Sequence, residues 1–285
     1  MSTTWSAVAA GIMWSIWLAL TAACSARPYV NEPLAELPDS RDESVARAVA
    51  GDRAPELLVL LAFSGGGTRG AALAYGVLQE LAQTTVLTAR GERRLLDEVD
   101  VVSSVSGGSF VSAYYGLFGD RIFVDFEDRF LRHALQTDLA AMTTDPQNWV
   151  RQASPYLGRS DLATDIYDQH LFEYRTMGEL SDASGPFVII NSTDIGTGAR
   201  FAFVHAMFDL LCSDLDDFPV SRAVMASAAA PVAATPISLR NYAGSCGYRL
   251  PDPLAKSLLQ SGRTVRRAKA GSFLQYLDAE RHPWL

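Results

Sequence analysis

Leu57–Gly70 reads LLVLLAFSGGGTRG, and this stretch sets the architecture that we expect for the rest of the chain. Its first half, Leu57–Phe63, is a short continuous apolar run, which is typical of a strand buried on both faces of a parallel sheet. The glycines that follow break the strand. Ala71–Ala82 then contains mainly residues that favour helices. The stretch therefore predicts a strand, a tight turn and a helix in succession.

The same order of elements recurs farther along the chain. Val99–Val102 is a second apolar, β-branched run, Ser103–Gly108 is a turn of small residues, and Phe110–Leu117 has a helical composition. Two such units predict parallel strands joined by crossover helices, and hence an α/β fold. Downstream we expect strands at Phe187–Ile190 and Phe201–Val204, an alanine-rich helix at Val220–Ala230 ended by Pro231, and a more polar, mainly helical region at Phe123–Met177.

The composition is that of a folded domain without a nucleic-acid partner. The chain has 285 residues, of which 48% are hydrophobic, enough for the core of one sizeable α/β domain. Its formal net charge of -8 argues against nucleic-acid binding, which normally needs a basic surface. Four scattered His residues and the lack of a Cys-x-x-Cys pair predict no metal site.

The N-terminal segment predicts export and a lipid anchor. Ala7–Ala23 is nearly all apolar or small and stops at Cys24, which is the layout of a secretory signal peptide. The residues Thr21, Ala22 and Ala23 before the cysteine resemble a bacterial lipobox, in which the thiol receives a diacylglyceryl group. The alternative is an uncleaved signal anchor or a slightly short transmembrane helix, because the segment has no Lys or Arg ahead of the apolar run and Thr21 stands where Leu is usual.

These features divide the chain into three parts. We predict a signal peptide at 1–23, a lipidated cysteine and polar linker at 24–56 with one short helix around Glu43–Ala50, and a domain at 57–285. The domain would then face the periplasm or the exterior of a bacterial cell envelope, held at the membrane by its anchor. In that compartment Cys212 and Cys246 are an even pair that either forms a disulfide or remains as two buried thiols.

The second glycine-bearing turn predicts a nucleophile. In open parallel sheets, ligands bind at the carboxyl ends of the strands, where both turns lie. Ser104-Val105-Ser106-Gly107-Gly108 matches the nucleophile elbow Gly-x-Ser-x-Gly, except that Ser104 replaces the first glycine. The sharp turn exposes the hydroxyl of Ser106, and the small neighbours Ser104, Gly107 and Gly108 let other backbone approach it.

The first turn predicts an oxyanion hole. Glycines adopt positive φ readily, so Gly65, Gly66, Gly67 and Gly70 can direct their N–H groups toward one point. Such donors stabilise a tetrahedral intermediate by about 3–4 kcal/mol each. Arg69 is expected to hold this loop or to contact a substrate phosphate. The glycine spacing alone also fits a dinucleotide-binding turn, but no acidic residue follows a second strand at the expected distance.

In these two turns, the chain resembles the patatin-like phospholipase family, and the resemblance extends from about Leu57 to the C-terminus. The Gly-Gly-Gly-x-Arg-Gly loop of that family is matched by Gly65–Gly70 and its elbow serine by Ser106, and Ala226–Ala229, ahead of Pro231 and Pro236, is also similar. The resemblance implies a three-layer α/β/α fold with a mainly parallel sheet and hydrolysis of lipid acyl esters. It also implies a Ser–Asp dyad, with no metal or other cofactor.

The sequence departs from the family at the dyad aspartate. That residue lies in an Asp-Gly-Gly or Asp-Gly-Ala turn, and no Asp-Gly dipeptide occurs in this chain. The simplest hypothesis is that the chain is truncated before it, because the sequence ends at Leu285 about where the turn is expected. Asp194 is an alternative base without local support. The histidines lie in no motif and are expected to be structural or at the surface: His133, His170, His205 and His282.

Two functions remain open at this point. The first is lipid acyl hydrolysis with Ser106 as the nucleophile. The second is a catalytically impaired, lipid-binding lipoprotein, because a serine without a base is a poor nucleophile at neutral pH.

Overall fold

A computed structural model describes residues 29–38, 52–133, 158–229, 234–250 and 274–285. The expected signal peptide, Cys24, the Glu43–Ala50 helix and Pro231 lie outside these ranges, as does the middle of the Phe123–Met177 region. Within them, no helix has the length and apolar character needed to cross a membrane.

The described part of the chain contains six strands and seven α-helices with the bounds given below, and residues 274–276 are also helical. The strands are β1 (Val59–Phe63), β2 (Thr85–Thr88), β3 (Gly91–Arg94), β4 (Val99–Val105), β5 (Phe187–Thr193) and β6 (Arg200–Phe203). The helices are α1 (Gly67–Gln83), α2 (Gly107–Phe118), α3 (Ile122–Phe126), α4 (Arg159–Tyr167), α5 (Met177–Asp182), α6 (His205–Leu210) and α7 (Val220–Ala228). Short 3-10 or π-helical turns cover Leu95–Glu98, Gly119–Arg121, Glu127–Leu131 and Asp168–Phe172.

The central sheet has the order β1-β4-β5-β6. β1, β4 and β5 are parallel, and β6 pairs antiparallel with β5. β2 and β3 form a separate hairpin. The predicted α/β class with a mainly parallel sheet is therefore confirmed, and the carboxyl ends of the three parallel strands share one edge.

Helix α2 packs closely on one face of the sheet. A Cβ on Gly108 would lie 2.7 Å from the Cβ of Phe63 in β1, and a Cβ on Gly116 would lie 2.8 Å from a methyl group of Val188 in β5. Only glycine leaves room for backbone at these distances. These close contacts hold α2 against β1 and β5.

The expectation that β1 is buried on both faces is wrong for the described residues. Leu58 and Leu60 are 60% and 59% exposed, whereas Phe63 is buried. β1 is one of the two edge strands of the sheet, and its exposed residues Leu60 and Ala62 alternate with Phe63, which packs on Gly108 of α2. A continuous apolar run does not reveal which strand takes the edge.

Several boundaries differ from those predicted. β4 continues through Val105, so Ser103–Gly108 is mostly strand and helix with a turn at Ser106. α1 begins at Gly67, so the later residues of the glycine loop form its first turn. β6 ends at Phe203 and α7 at Ala228, both slightly earlier than expected.

The C-terminal part of the domain is held by a disulfide and by backbone pairing of the last residues. Cys212 and Cys246 are joined, with their Cα atoms 5.4 Å apart. Leu239 and Leu285 exchange two backbone hydrogen bonds of 2.9 and 2.8 Å. Beside them, Tyr276 packs edge-on against Phe201 of β6. These contacts tie the 234–250 and 274–285 segments to the sheet.

We predict that Asp168→Asn stabilises the protein at neutral pH but not in acid. Burial raises the pKa of Asp168 to about 6, and the nearby Ser221 and Arg222 side chains offset only part of this effect. The folded state thus holds the proton more tightly than the unfolded state, and stability falls as pH rises from about 4 to about 6. The amide removes this charge and should raise the free energy of unfolding by on the order of 1–2 kcal/mol above pH 7.

Unfolding of the two proteins at about pH 4 and pH 7.5 checks this prediction. Asp182→Asn, which removes an exposed carboxylate, serves as the control for the loss of a charge at the surface. An equal gain for Asp168→Asn at both pH values would contradict it.

Candidate active site

Ser106 forms a strained turn between β4 and α2. Its φ and ψ are 53° and -122°, and it is the residue immediately before the first residue of α2. Positive φ is unfavourable for a residue with a side chain and costs of order 1–3 kcal/mol, so the surrounding contacts must impose it. Ser106 is half-buried. Its hydroxyl therefore stands at the carboxyl edge of the sheet, as predicted for a nucleophile elbow.

The glycine loop lies directly against this turn. A Cβ placed on Gly65 would be 3.1 Å from the Cβ of Ser106 and 3.7 Å from its Oγ. A Cβ on Gly107 would be only 2.1 Å from the carbonyl oxygen of Gly67. The Gly107 contact leaves no space for a side chain, and the Gly65 contact is tighter than ordinary van der Waals packing. The two turns predicted from the sequence to share one edge are therefore in contact.

Two helices begin beside the serine hydroxyl. α1 starts at Gly67 and α2 at Gly107. The first amides of a helix have no acceptor within it, and its amino end carries partial positive charge. Gly66 and Gly67 have φ values of 135° and 60°, which only glycine adopts readily. This end of the sheet can therefore stabilise an anion that forms next to Ser106.

The remaining loop residues support its shape. A Cβ on Gly70 would be 2.8 Å from the carbonyl oxygen of Gly65, so the first turn of α1 packs tightly on the start of the loop. Arg69 is exposed in that turn. Its side chain projects from the loop, and its expected contact with a substrate phosphate stays a prediction.

The departure at Ser104 has a structural reason. The side chain of Ser104 is fully buried, and its Oγ lies 2.6 Å from the Oγ of Ser112 in α2. A hydroxyl at this position therefore has a partner inside the domain. Serine replaces glycine here without disturbing the elbow.

Sequence reasoning missed a third element of the site, at the end of α7. The amide of Ser106 donates a 2.8 Å hydrogen bond to the Oγ of Ser227, which in turn donates to the carbonyl oxygen of Asn191 at 2.5 Å. The side-chain amide of Asn191 donates to the carbonyl oxygen of Ser104 at 2.9 Å. Resemblance of Ala226–Ala229 to a family segment was the one signal that could have indicated this contact.

The alternative base, Asp194, is engaged in its own loop between β5 and β6. Its carboxylate accepts from the amide of Gly196 at 2.9 Å, from the Thr197 hydroxyl at 2.6 Å and from the Tyr276 hydroxyl at 3.1 Å. Three donors hold this side chain as part of a turn. Within the ranges that the structure describes, no hydrogen bond joins the Ser106 hydroxyl to a carboxylate or an imidazole.

The histidines have other partners. The Nε2 of His205 lies 2.6 Å from the Oδ1 of Asp216, and the rings of His133 and His170 are stacked 5.9 Å apart. The carbonyl oxygen of His282 accepts from the side chain of Asn241. Among the described residues, no three His, Cys, Asp or Glu side chains are grouped so that they could hold a metal ion.

A cavity of about 820 Å³ lies at the opposite end of the strands. Its lining includes Arg93, Tyr115 and the first residues of β5, Phe187 and Val188, and none of the two glycine-bearing turns. The cationic Arg93 is paired with Glu98 at 2.6 Å. This space is separate from the candidate site.

Comparison with known proteins agrees with the α/β fold. The profile of the patatin-like phospholipase family matches residues 61–251, more than half of the chain. The protein belongs to the patatin-like phospholipase family.

A search among curated proteins finds no match. One similar solved structure is human GIVD cytosolic phospholipase A2 in complex with the inhibitor methyl gamma-linolenyl fluorophosphonate and terbium chloride, at 21% identity and a TM-score of 0.33. The aligned region covers 55% of this chain and 25% of that protein, so this chain matches about a quarter of its length.

Proposed function

We propose that the protein is a serine acyl hydrolase that cleaves acyl esters of lipids, with Ser106 as its nucleophile. The observation that carries the proposal is the contact between the two turns, in which Gly65 lies against the Cβ and Oγ of Ser106. Membership of a phospholipase family supports the class of substrate. Together they link the hydroxyl of a half-buried serine on a strained turn to a reaction that needs a nucleophile.

The proposed reaction has two steps. The Ser106 Oγ attacks the ester carbonyl carbon, its proton passes to a base, and the alcohol leaves with a proton, which produces an acyl-enzyme. Water then attacks the acyl group and releases the fatty acid and the free serine. In both steps, the amides around Gly66 and Gly67 donate to the oxyanion.

Exposed apolar side chains on α1 and at the end of β4 suit a lipid substrate. Leu73 on α1 is 69% exposed, and Val105, the neighbour of Ser106, is 43% exposed. Exposed apolar side chains beside a catalytic edge favour contact with acyl chains. This supports a lipid ester over a small polar one.

A second candidate is a lipid-binding module without hydrolysis. It is favoured by one observation: within the described ranges, no carboxylate or imidazole is hydrogen-bonded to the Ser106 hydroxyl. A serine that lacks a base retains the crevice and the apolar surface but reacts slowly.

Incubation of the purified protein with phospholipid vesicles tests both candidates in one sample. Release of fatty acid into the supernatant, together with cosedimentation, supports the hydrolase. Cosedimentation without release supports the binding module. If the protein neither releases fatty acid nor cosediments, both candidate functions are wrong.

We also propose that Cys24, which lies outside the described residues, carries a lipid anchor. The support is the apolar segment that ends at this cysteine. Bacterial cells that express the chain and are fed a labelled fatty acid should incorporate label into the wild type and not into Cys24→Ala. Cys246→Ala is the control and should be labelled like the wild type. Label in Cys24→Ala would contradict the proposal.

A further inference from the structure

Ser227 occupies a position from which it controls the conformation of the elbow. Its hydroxyl accepts a hydrogen bond from the backbone amide of Ser106 at 2.8 Å and donates to the carbonyl oxygen of Asn191 at 2.5 Å. The Oγ of Ser109 in α2 lies 3.0 Å away. Because the Ser227 hydroxyl donates its only proton to Asn191, the Ser109 hydroxyl is the donor in that third contact. One hydroxyl therefore connects the ends of β4, β5, α2 and α7.

The hydrogen bond between Ser106 and Ser227 gives the Ser106 amide an acceptor, which the turn itself does not provide. Ser106 precedes the first residue of α2, so its own amide has no acceptor in the helix, while its carbonyl oxygen already accepts from Ser109 N at 2.8 Å. The positive φ of this residue persists only if its neighbours hold it. The hydrogen bond from the amide to Ser227 fixes the plane of the peptide that precedes the Ser106 Cα, and so the direction in which the hydroxyl points.

The acceptor is itself held in place. Asn191 is 7% exposed, and its side-chain amide donates to the carbonyl oxygen of Ser104 at 2.9 Å. Its Oδ1 accepts from Arg200 Nε at 2.6 Å. Ser227 is therefore hydrogen-bonded to a firmly held residue of the sheet, and through the Ser106 amide it restrains the elbow.

From this network we infer that Ser227 is a positioning residue for Ser106, an inference that rests on the proposed hydrolase function. It acts through the Ser106 amide and does not touch the substrate. Its hydroxyl is saturated by three hydrogen bonds, so it is neither a second nucleophile nor a base. The same network occupies the Ser106 amide, so the oxyanion donors would be other amides at this end of the sheet, those of the glycine loop and of the first turn of α2.

The test compares Ser227→Ala, Ser227→Thr and, as a matched control, Ser221→Ala, a fully buried serine on the same helix. The rate of phosphonylation by an alkyl fluorophosphonate is measured for the correctly folded fraction of each full-length protein. We expect Ser227→Ala to react about tenfold more slowly, the effect of one lost hydrogen bond. Ser227→Thr keeps the hydroxyl and should remain within about threefold of the wild type, as should Ser221→Ala. With an ester substrate, the loss should lie in kcat and not in KM.

A second readout does not depend on activity. Hydrogen exchange of the Ser106 amide, followed by NMR on protein labelled with [15N]serine, should accelerate in Ser227→Ala and stay slow in Ser227→Thr and Ser221→Ala. Equal phosphonylation rates and equal exchange in the wild type and Ser227→Ala would overturn the inference. So would an equal loss of rate in Ser227→Ala and Ser221→Ala, which indicates a general loss of stability.

These outcomes separate the inference from the proposed function. If the wild type is not phosphonylated, the hydrolase proposal fails. The exchange data then decide alone whether Ser227 anchors the Ser106 amide.

Discussion

Ser106→Ala should reduce ester hydrolysis by about three to six powers of ten, to the level of the buffer. The substitution removes the hydroxyl that we propose as the nucleophile, and leaves the turn, the glycine loop and the helix ends intact. The unfolding temperature should change little, or rise slightly, because the side chain of Ser106 is only partly buried. The assay is fatty acid release from an acyl ester, with initial rates normalised to folded protein.

Ser181→Ala is the matched control for this experiment. Ser181 lies in α5, and its hydroxyl donates to the carbonyl oxygen of Met177 within that helix. It should retain the activity of the wild type. If Ser106→Ala and the wild type hydrolyse the ester at the same rate, Ser106 is not the nucleophile.

Gly107→Ala should disable the site by displacing the two turns from each other. The new methyl group would stand 2.1 Å from the carbonyl oxygen of Gly67, a distance that no packing adjustment of side chains relieves. The backbone of the elbow or of the glycine loop must move instead, which separates Ser106 from its oxyanion donors. We expect activity to fall at least about a hundredfold, and the free energy of unfolding to fall by about 1–3 kcal/mol.

Gly76→Ala provides the comparison. Gly76 lies on the exposed side of α1, and a Cβ there would meet no atom within 4 Å. Alanine favours a helix more than glycine does, so this variant should be more stable by about 0.5–1 kcal/mol and fully active. Normal activity of Gly107→Ala would contradict the close contact between the turns.

The local order of strand, turn and helix could be predicted from the sequence because it depends on neighbouring residues. Leu57–Phe63 and Val99–Val102 have the apolar, partly β-branched composition of buried strands, and the glycines after each mark a turn. This was enough to predict the α/β class and the meeting of Gly65 with Ser106. The hairpin of β2 and β3 was missed, because its Ala89-Arg90 turn lacks the usual Asn-Gly or Asp-Gly pair.

Contacts between distant parts of the chain could not be predicted in the same way. Ser106 and Ser227 are separated by 121 positions, and nothing near Ser227 indicates that its hydroxyl reaches the elbow. The exposure of Leu60 depends on the order of strands in the sheet, which an apolar run does not encode. The buried partner that makes serine acceptable at Ser104 likewise comes from the packing of α2 on β4.

Mapping the site of phosphonylation tests directly whether Ser106 is the nucleophile. The wild-type protein is treated with an alkyl fluorophosphonate, digested with trypsin and analysed by tandem mass spectrometry. Cleavage after Arg94 and Arg121 yields the peptide Leu95–Arg121, which contains the elbow and several other serines. We predict one adduct, with fragment ions that place it on Ser106. An unmodified Leu95–Arg121 peptide, or an adduct on another serine, would contradict the account.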